Sequence, residues 1–144
     1  MSCAFSGGPD STALLALAVA AGLDVTALHV NHGIRPESDI EAARAETIAC
    51  ELGVAFASVE VQLTDGPNLE ARARAARRAA LGPDTLTGHT ADDQAETVVL
   101  SLLRGSGATG LSGMEAGTTH PLLALRRRET RALCTALGID PVDD

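Results

Sequence analysis

The stretch Ala4-Phe5-Ser6-Gly7-Gly8-Pro9-Asp10-Ser11-Thr12, followed at once by Ala13-Leu14-Leu15-Ala16-Leu17-Ala18-Val19, decides how this chain folds. A short apolar segment breaks at two glycines, and a helix opens on Asp, Ser and Thr. Such a strand-to-helix turn aims several backbone N–H groups, with the positive end of the helix dipole, at one spot. Gly7 and Gly8 carry no side chain, so a phosphate can approach the main chain there. Ser6 and Ser11 add hydroxyl donors, while Asp10 suits a magnesium ion better than the phosphate itself. The sequence has no lysine, which excludes the P-loop that ends in Gly-Lys-Ser/Thr. The turn is read as a nucleotide-phosphate cradle of another type, with a plain glycine-rich turn as the alternative.

Working outward, the chain reads as repeating β–α units. A strand over residues 2–6 leads to a helix over 10–21, closed by Gly22. A β-branched-rich strand follows over 24–30. A helix then starts at Pro36 and Ser38 and runs to about Leu52, with Ile40, Ala43, Ile48 and Leu52 at helical spacing. A strand over 55–61 precedes the turn Asp65-Gly66-Pro67, and Asn68 caps a helix to about Leu81. A strand over 85–88 is followed by Thr90-Ala91-Asp92-Asp93, a capping-box variant that opens a helix over 91–103. After the glycine-rich stretch Gly105 to Gly113, a weak extended segment at 119–123 leads to a last helix over about 127–137. The order predicts an α/β fold: a parallel sheet of about five strands with helices on both faces, Rossmann-like in architecture. Ligands bind such sheets beyond the carboxyl ends of the strands, where Ser6, His29-Val30 and Gly88-His89 fall.

With 144 residues and 45% hydrophobic content, one domain with a real core is expected over residues 1–144. Its longest apolar stretch, Ala13 to Ala21, is too short to cross a membrane, and no secretory signal pattern precedes it. Cys3, Cys50 and Cys134 are scattered; they form neither a disulfide framework nor a CxxC motif, and read as buried thiols in a reducing cytoplasm. The net charge of −8 argues against a general nucleic-acid coat protein. It is unevenly spread, however: residues 1–70 carry ten acids against two arginines, residues 71–144 nine against nine. A polyanion could meet a local arginine face while the rest stays acidic. Phe5 and Phe56 are the only aromatics besides histidine, so base stacking of the usual kind has no platform.

Two further clusters carry chemistry. His29-Val30-Asn31-His32-Gly33-Ile34-Arg35 ends the second strand. Its edge can hydrogen-bond an adenine and Arg35 can reach an anion, although by itself the stretch is first a polar turn with a solvated arginine. No third ligand at zinc spacing follows His29 and His32. The other cluster is Gly88-His89-Thr90-Ala91-Asp92-Asp93-Gln94-Ala95-Glu96-Thr97. Capping explains one or two of its acids. Asp92 and Glu96, however, lie four apart on one helix face and repel, so a bound cation, magnesium or an ammonium substrate, is expected beside them.

Ser6-Gly7-Gly8-Pro9-Asp10-Ser11 resembles the signature of the PP-loop ATP pyrophosphatases, whose fold is of the adenine nucleotide alpha hydrolase type. Together with the His29–Arg35 and Gly88–Thr97 runs, Leu103-Arg104-Gly105-Ser106-Gly107 and Gly110-Leu111-Ser112-Gly113-Met114, the chain is similar over its whole length to the tRNA(Ile)-lysidine synthetases. The resemblance implies ATP and Mg²⁺ as cofactors, L-lysine and a tRNA(Ile) with a CAU anticodon as partners, a ligase activity in the cytoplasm, no membrane, and room for a homodimer. It assigns catalysis to Asp10, Arg35, Arg74, Asp92, Asp93 and Glu96. Nucleotide binding falls to Ser6, Gly7, Gly8, Pro9, Asp10, Ser11, His29, Asn31, Gly88 and His89, and the metal to Asp10 and Asp92.

The chain departs from the family at Arg78, where tyrosine is usual after Ala73-Arg74-Ala75-Ala76-Arg77, and at His120, where arginine commonly precedes Pro121. Family members continue past residue 144, so the chain is expected to be the PP-loop ATP-binding domain without its C-terminal part and without a second domain. The Arg126-Arg127-Arg128 run reads as a solvated helix start that could touch tRNA phosphate. Two enzyme alternatives belong to the same superfamily: a tRNA thiolase, whose cluster-dependent kind needs grouped cysteines, and an amide-forming synthetase of the NAD or GMP type. A fragment that binds ATP without turnover is the non-enzyme alternative.

Overall fold

The structure, a computed structural model, describes residues 1–31, 38–61, 68–105, 112–115 and 117–142. The chain alternates as the pattern requires: β1 (Ser2–Ala4), α1 (Pro9–Ala20), β2 (Thr26–Asn31), α2 (Ser38–Glu51), β3 (Ala55–Glu60), α3 (Leu69–Leu81), α4 (Ala91–Leu103) and α5 (Arg127–Ala136). The strands run parallel in the order β1-β2-β3, with Cys3 opposite Ala27 and His29 opposite Ser58. Parallel neighbours need a crossover between them, and α1 and α2 supply it.

Among the described residues the sheet has three strands rather than the expected five. The expected strand over 85–88 contracts to one parallel bridge, Leu86 opposite Cys3, with Leu86 N–H donating to the Ser2 carbonyl at 2.9 Å and Ala4 N–H to the Leu86 carbonyl at 2.8 Å. Pro83 before it and Gly88 after it leave too few residues to extend the ladder. The expected extended segment at 119–123 is a run of turns; Thr119 still accepts the Thr87 N–H at 2.9 Å, but Pro121 has no N–H to carry pairing further.

One contiguous core joins Cys3 and Phe5 to Leu14, Leu15 and Ala18 of α1, Ala45, Ile48 and Ala49 of α2, Ala27 and Leu86. β2 alternates half-buried and buried positions, which turns Ala27, His29 and Asn31 inward together. α1 is the most enclosed helix, buried from Pro9 through Ala16 apart from Asp10, with α5 packed along it. α4 has no fully buried residue. Cys3 and Cys134 are buried as expected, and burial pushes both thiols up; Cys50 is exposed instead. No described helix is long and apolar enough to cross a membrane.

Gly7 makes the turn from β1 into α1. Its φ of +83° is a conformation that costs other residues about 1–2 kcal/mol, and a Cβ there would stand 2.9 Å from Cγ2 of Val142. Gly7→Ala should therefore lose about 1–2 kcal/mol from backbone strain plus a collision penalty. In a denaturant-melt cycle, Val142→Ala should recover the collision part and leave the backbone part; full recovery would show that φ carries no cost.

Candidate functional site

The loop between β1 and α1 is held from inside. The Gly7 carbonyl accepts the Thr12 hydroxyl at 3.1 Å and the Val142 N–H at 2.9 Å. Because the peptide is planar and trans, turning this carbonyl inward turns the Gly8 N–H of the same peptide toward the loop mouth, where its nearest acceptor is the Ser6 hydroxyl at 3.4 Å. Pro9 occupies the first turn of α1, where its missing N–H costs nothing. The backbone N–H groups of Gly7, Asp10 and Ser11 have no acceptor among the described residues. Three unsatisfied donors at the positive end of α1 form an anion cradle. The Ser11 hydroxyl closes the loop instead of facing its mouth: it donates to the Gly8 carbonyl at 3.0 Å and accepts from the Ser6 N–H at 3.3 Å.

Gly88, at the end of the Leu86 segment, lies against this loop. A Cβ there would meet the Asp10 carbonyl oxygen at 2.8 Å and the Ser11 nitrogen at 3.0 Å, so only glycine lets the two chains approach this closely. The contact brings the start of α4 beside the start of α1.

At that junction the acids gather. Asp93 Oδ2 accepts the Thr90 N–H at 2.7 Å and the Thr90 hydroxyl at 2.8 Å, and Thr90 is fully buried. Arg127, the first residue of α5, then joins two carboxylates: its Nη2 lies 2.8 Å from Asp93 Oδ1 and its Nε 3.4 Å from Asp10 Oδ2. Its backbone N–H donates to Asp92 Oδ2 at 2.8 Å. The Thr130 hydroxyl donates to Asp10 Oδ1. Burial opposes charge on Asp93, but the Thr90 N–H and hydroxyl, then Arg127 and His89, outweigh it and hold its carboxyl below the ordinary value. Burial likewise opposes charge on Arg127, and Asp93 and Asp10 outweigh it.

His89 shares a hydroxyl with His120. Thr87 Oγ1 lies 2.8 Å from His89 Nδ1, 2.6 Å from His120 Nδ1 and 3.1 Å from the Thr119 carbonyl, and the two rings meet edge-on at 5.2 Å. A hydroxyl has one proton, and a carbonyl can only accept. Satisfying all three contacts therefore puts the Thr87 proton on Thr119 and gives both imidazoles an Nδ1–H, which in a neutral His89 leaves Nε2 as an acceptor. Burial lowers the His89 pKa, and His120, Arg77 and Arg74 add to this against Asp93, so His89 is neutral near pH 7.

The other residues named from the sequence fall differently. His29 is buried, with Nδ1 2.9 Å from the Phe5 carbonyl, and Asn31 donates to Asp39 Oδ1 at 3.3 Å; both side chains brace the strand ends. Arg74 and Glu96 are exposed on α3 and α4. Arg35 lies outside the described residues, as do His32, Gly33 and most of the glycine-rich stretch after Arg104. Three positions take roles that the sequence reading did not give them. Arg127 was hidden in an arginine run and Thr130 in a helix interior. Gln94 bonds both backbone groups of Met114, at 2.9 and 2.8 Å, and tethers the segment beyond α4. The one available signal for Arg127 is a basic residue at a helix start, where the dipole disfavours it.

Among the described residues no three His, Cys, Asp or Glu side chains could hold a metal by themselves. Asp10 and Asp93 nevertheless offer the hard oxygen donors that magnesium takes when phosphate oxygens complete its shell. Asp92 is exposed and engaged with the α5 backbone.

Residues 1–144 match the family model of the PP-loop domain. The chain is 49% identical to the tRNA(Ile)-lysidine synthase of Nocardia farcinica, covering 98% of this chain and 47% of that protein. It is 42% identical to that of Thermus thermophilus, covering 94% and 29%. The chain thus spans about half, or less, of the length of these curated relatives. In fold it is similar to the U34-tRNA thiolase NcsA from Methanococcus maripaludis, with TM-score 0.77, 22% identity, and coverage of 99% of this chain and 58% of that one.

Asp93→Asn should cost about 1.5–3 kcal/mol at pH 7, the value of hydrogen bonds to a charged group. A carboxyl whose folded pKa is lowered contributes stability above its unfolded pKa and loses it as pH falls through the folded one. The gap between wild type and Asp93→Asn should therefore hold from pH 7 to about 5 and close below about 4. A gap independent of pH in chemical melts would remove the ionised clamp.

Proposed function

The chain belongs to the PP-loop domain family, and from that premise we propose that it is the ATP-binding, adenylating domain of a tRNA(Ile)-lysidine synthetase. The observation that carries the reading is the cradle of unsatisfied N–H groups at Gly7, Asp10 and Ser11, set beside the Asp10 and Asp93 carboxylates. The chemistry proceeds in two displacements. The carbonyl oxygen of the first anticodon cytosine attacks the α-phosphorus of ATP, and pyrophosphate leaves. The side-chain amine of lysine then attacks the activated ring carbon and gives up a proton, the C–N bond forms, and AMP leaves with the oxygen.

Each named residue has a task here. The loop from Ser6 to Ser11 binds the phosphates through backbone donors that need no reorganisation as charge moves onto pyrophosphate. Asp10 and Asp93 would hold Mg²⁺, which when bound neutralises that charge. Asp92 and Glu96 present carboxylates to an ammonium group of lysine. Arg74, with Arg35 and the other arginines of α3, meets phosphate charge on the nucleotide or tRNA, a contact that weakens with salt. His89 stays neutral and offers Nε2 as a hydrogen-bond acceptor. The reaction belongs to a reducing cytoplasm.

Incubation with α-labelled ATP, magnesium, lysine and a tRNA(Ile) bearing a CAU anticodon should release AMP only when both lysine and tRNA are present, and Asp10→Ala should abolish the release. Release dependent on ammonia or a sulfur donor would transfer the chain to the amide-forming or thiolase branch. ATP binding without AMP would make it a nucleotide-binding module that needs the rest of its relatives' length to turn over.

A further inference from the structure

Arg127 stands where local rules disfavour it. It is the first residue of α5, and a cation at a helix N-terminus opposes the dipole. Of the arginines in the run 126–128, it is the one that pairs with acids of other helices, and it reaches two. Asp10 comes from the start of α1 and Asp93 from the first turn of α4, so the guanidinium closes a gap between carboxylates that would otherwise repel. The geometry is a fork with one prong on each acid. Both carboxylates are mostly enclosed, with 22% and 23% of their side chains exposed, whereas 44% of Arg127 is open to solvent. The acids are fixed in place, Asp93 by Thr90 and Asp10 by Thr130; the guanidinium is the member free to swing away, and a half-exposed ion pair costs little to break.

We propose that Arg127 is a positioning residue that acts as the resident counter-ion of the Asp10–Asp93 pair, holding both carboxylates in register and keeping a divalent cation off them until nucleotide phosphate arrives. The trigger rests on the reading of the loop as a nucleotide cradle. Phosphate can take a guanidinium through two parallel N–H···O bonds, whereas the shared pair gives it a single contact to each acid. A triphosphate seated on the α1 N-terminus draws Arg127 onto itself and leaves both acids to the metal that travels with it. The order of binding, nucleotide before metal, is thus built into one side chain.

The test is Mn²⁺ binding by the whole chain in the absence of nucleotide, read from the loss of the free-ion electron paramagnetic resonance signal. Without nucleotide, Arg127→Gln should bind Mn²⁺ at least about tenfold more tightly than wild type, since the pair regains a full negative charge. Adding Asp93→Asn to that variant should cancel the gain. Arg127→Lys, whose point charge cannot span both acids, should fall between, and carries the test alone if the glutamine variant does not fold. Because ATP chelates Mn²⁺ and removes the free-ion signal by itself, ATP binding is read separately, by equilibrium dialysis of labelled ATP. A folded Arg127→Gln or Arg127→Lys that takes up nucleotide-free Mn²⁺ no better than wild type overturns the proposal, whatever happens to ATP. If Mn²⁺ affinity rises as stated but no form binds ATP, the counter-ion role stands and the nucleotide reading falls.

Discussion

The fold and its site both hang on the Gly7 carbonyl. Two donors fix it, the Thr12 hydroxyl from within α1 and the Val142 N–H from the strap that follows α5. This anchoring settles three matters together: the left-handed backbone at residue 7, the direction in which α1 leaves the sheet, and the outward face of the next N–H groups. A glycine is required twice over, since the backbone angle and the packed Val142 methyl each exclude a side chain. The strap therefore belongs to the site through Val142, whose N–H holds the Gly7 carbonyl. It also ties the end of the described chain to its beginning, with Arg44 on Asp140 and Val142 packed on the core.

The polar residues divide into those that face outward and those that hold the frame. His29 and Asn31 alternate inward along β2 and are occupied by Phe5 and Asp39; their burial demands such partners. Ser11 closes its own loop. What remains for a ligand is mostly backbone, which suits phosphate because main-chain donors do not lose side-chain entropy on binding. The acids behave differently. Asp92 and Asp93 both hold α5, one through the backbone N–H of Arg127 and one through its guanidinium. The same contacts that dock the last helix thus set the charge of the site.

Much of this was legible in the sequence because it is local. The Gly7-Gly8 break, Thr90 with Asp93, and the alternation of strand and helix each follow from residues within a few positions of one another. The strand count failed because pairing is not local. Thr85 to Gly88 has strand chemistry, but whether it pairs at one residue or four depends on where Pro83 and Gly88 leave the chain relative to β1. Arg127 was illegible for a related reason. Three successive arginines look alike in sequence, and only the approach of α4 to α1, permitted by Gly88, selects one of them. Gln94 could be read as an exposed helical glutamine until the partner backbone at Met114 is in place.

Three helix starts meet at this point: Asp10 near the N-terminus of α1, Asp92 and Asp93 in the first turn of α4, and Arg127 at the first position of α5. Each contributes the positive end of a dipole. The carboxylates are at home there and the guanidinium is not, so the cluster is asymmetric: its acids are stabilised by the fold, its cation chiefly by the acids. An incoming polyanion meets three dipole ends and a cation held mainly by charge, which is an environment that rewards phosphate and lets Arg127 change partners. A fold seeking stability alone would gain more from an apolar contact at this junction than from a half-exposed ion pair. The position is better explained by charge exchange than by packing.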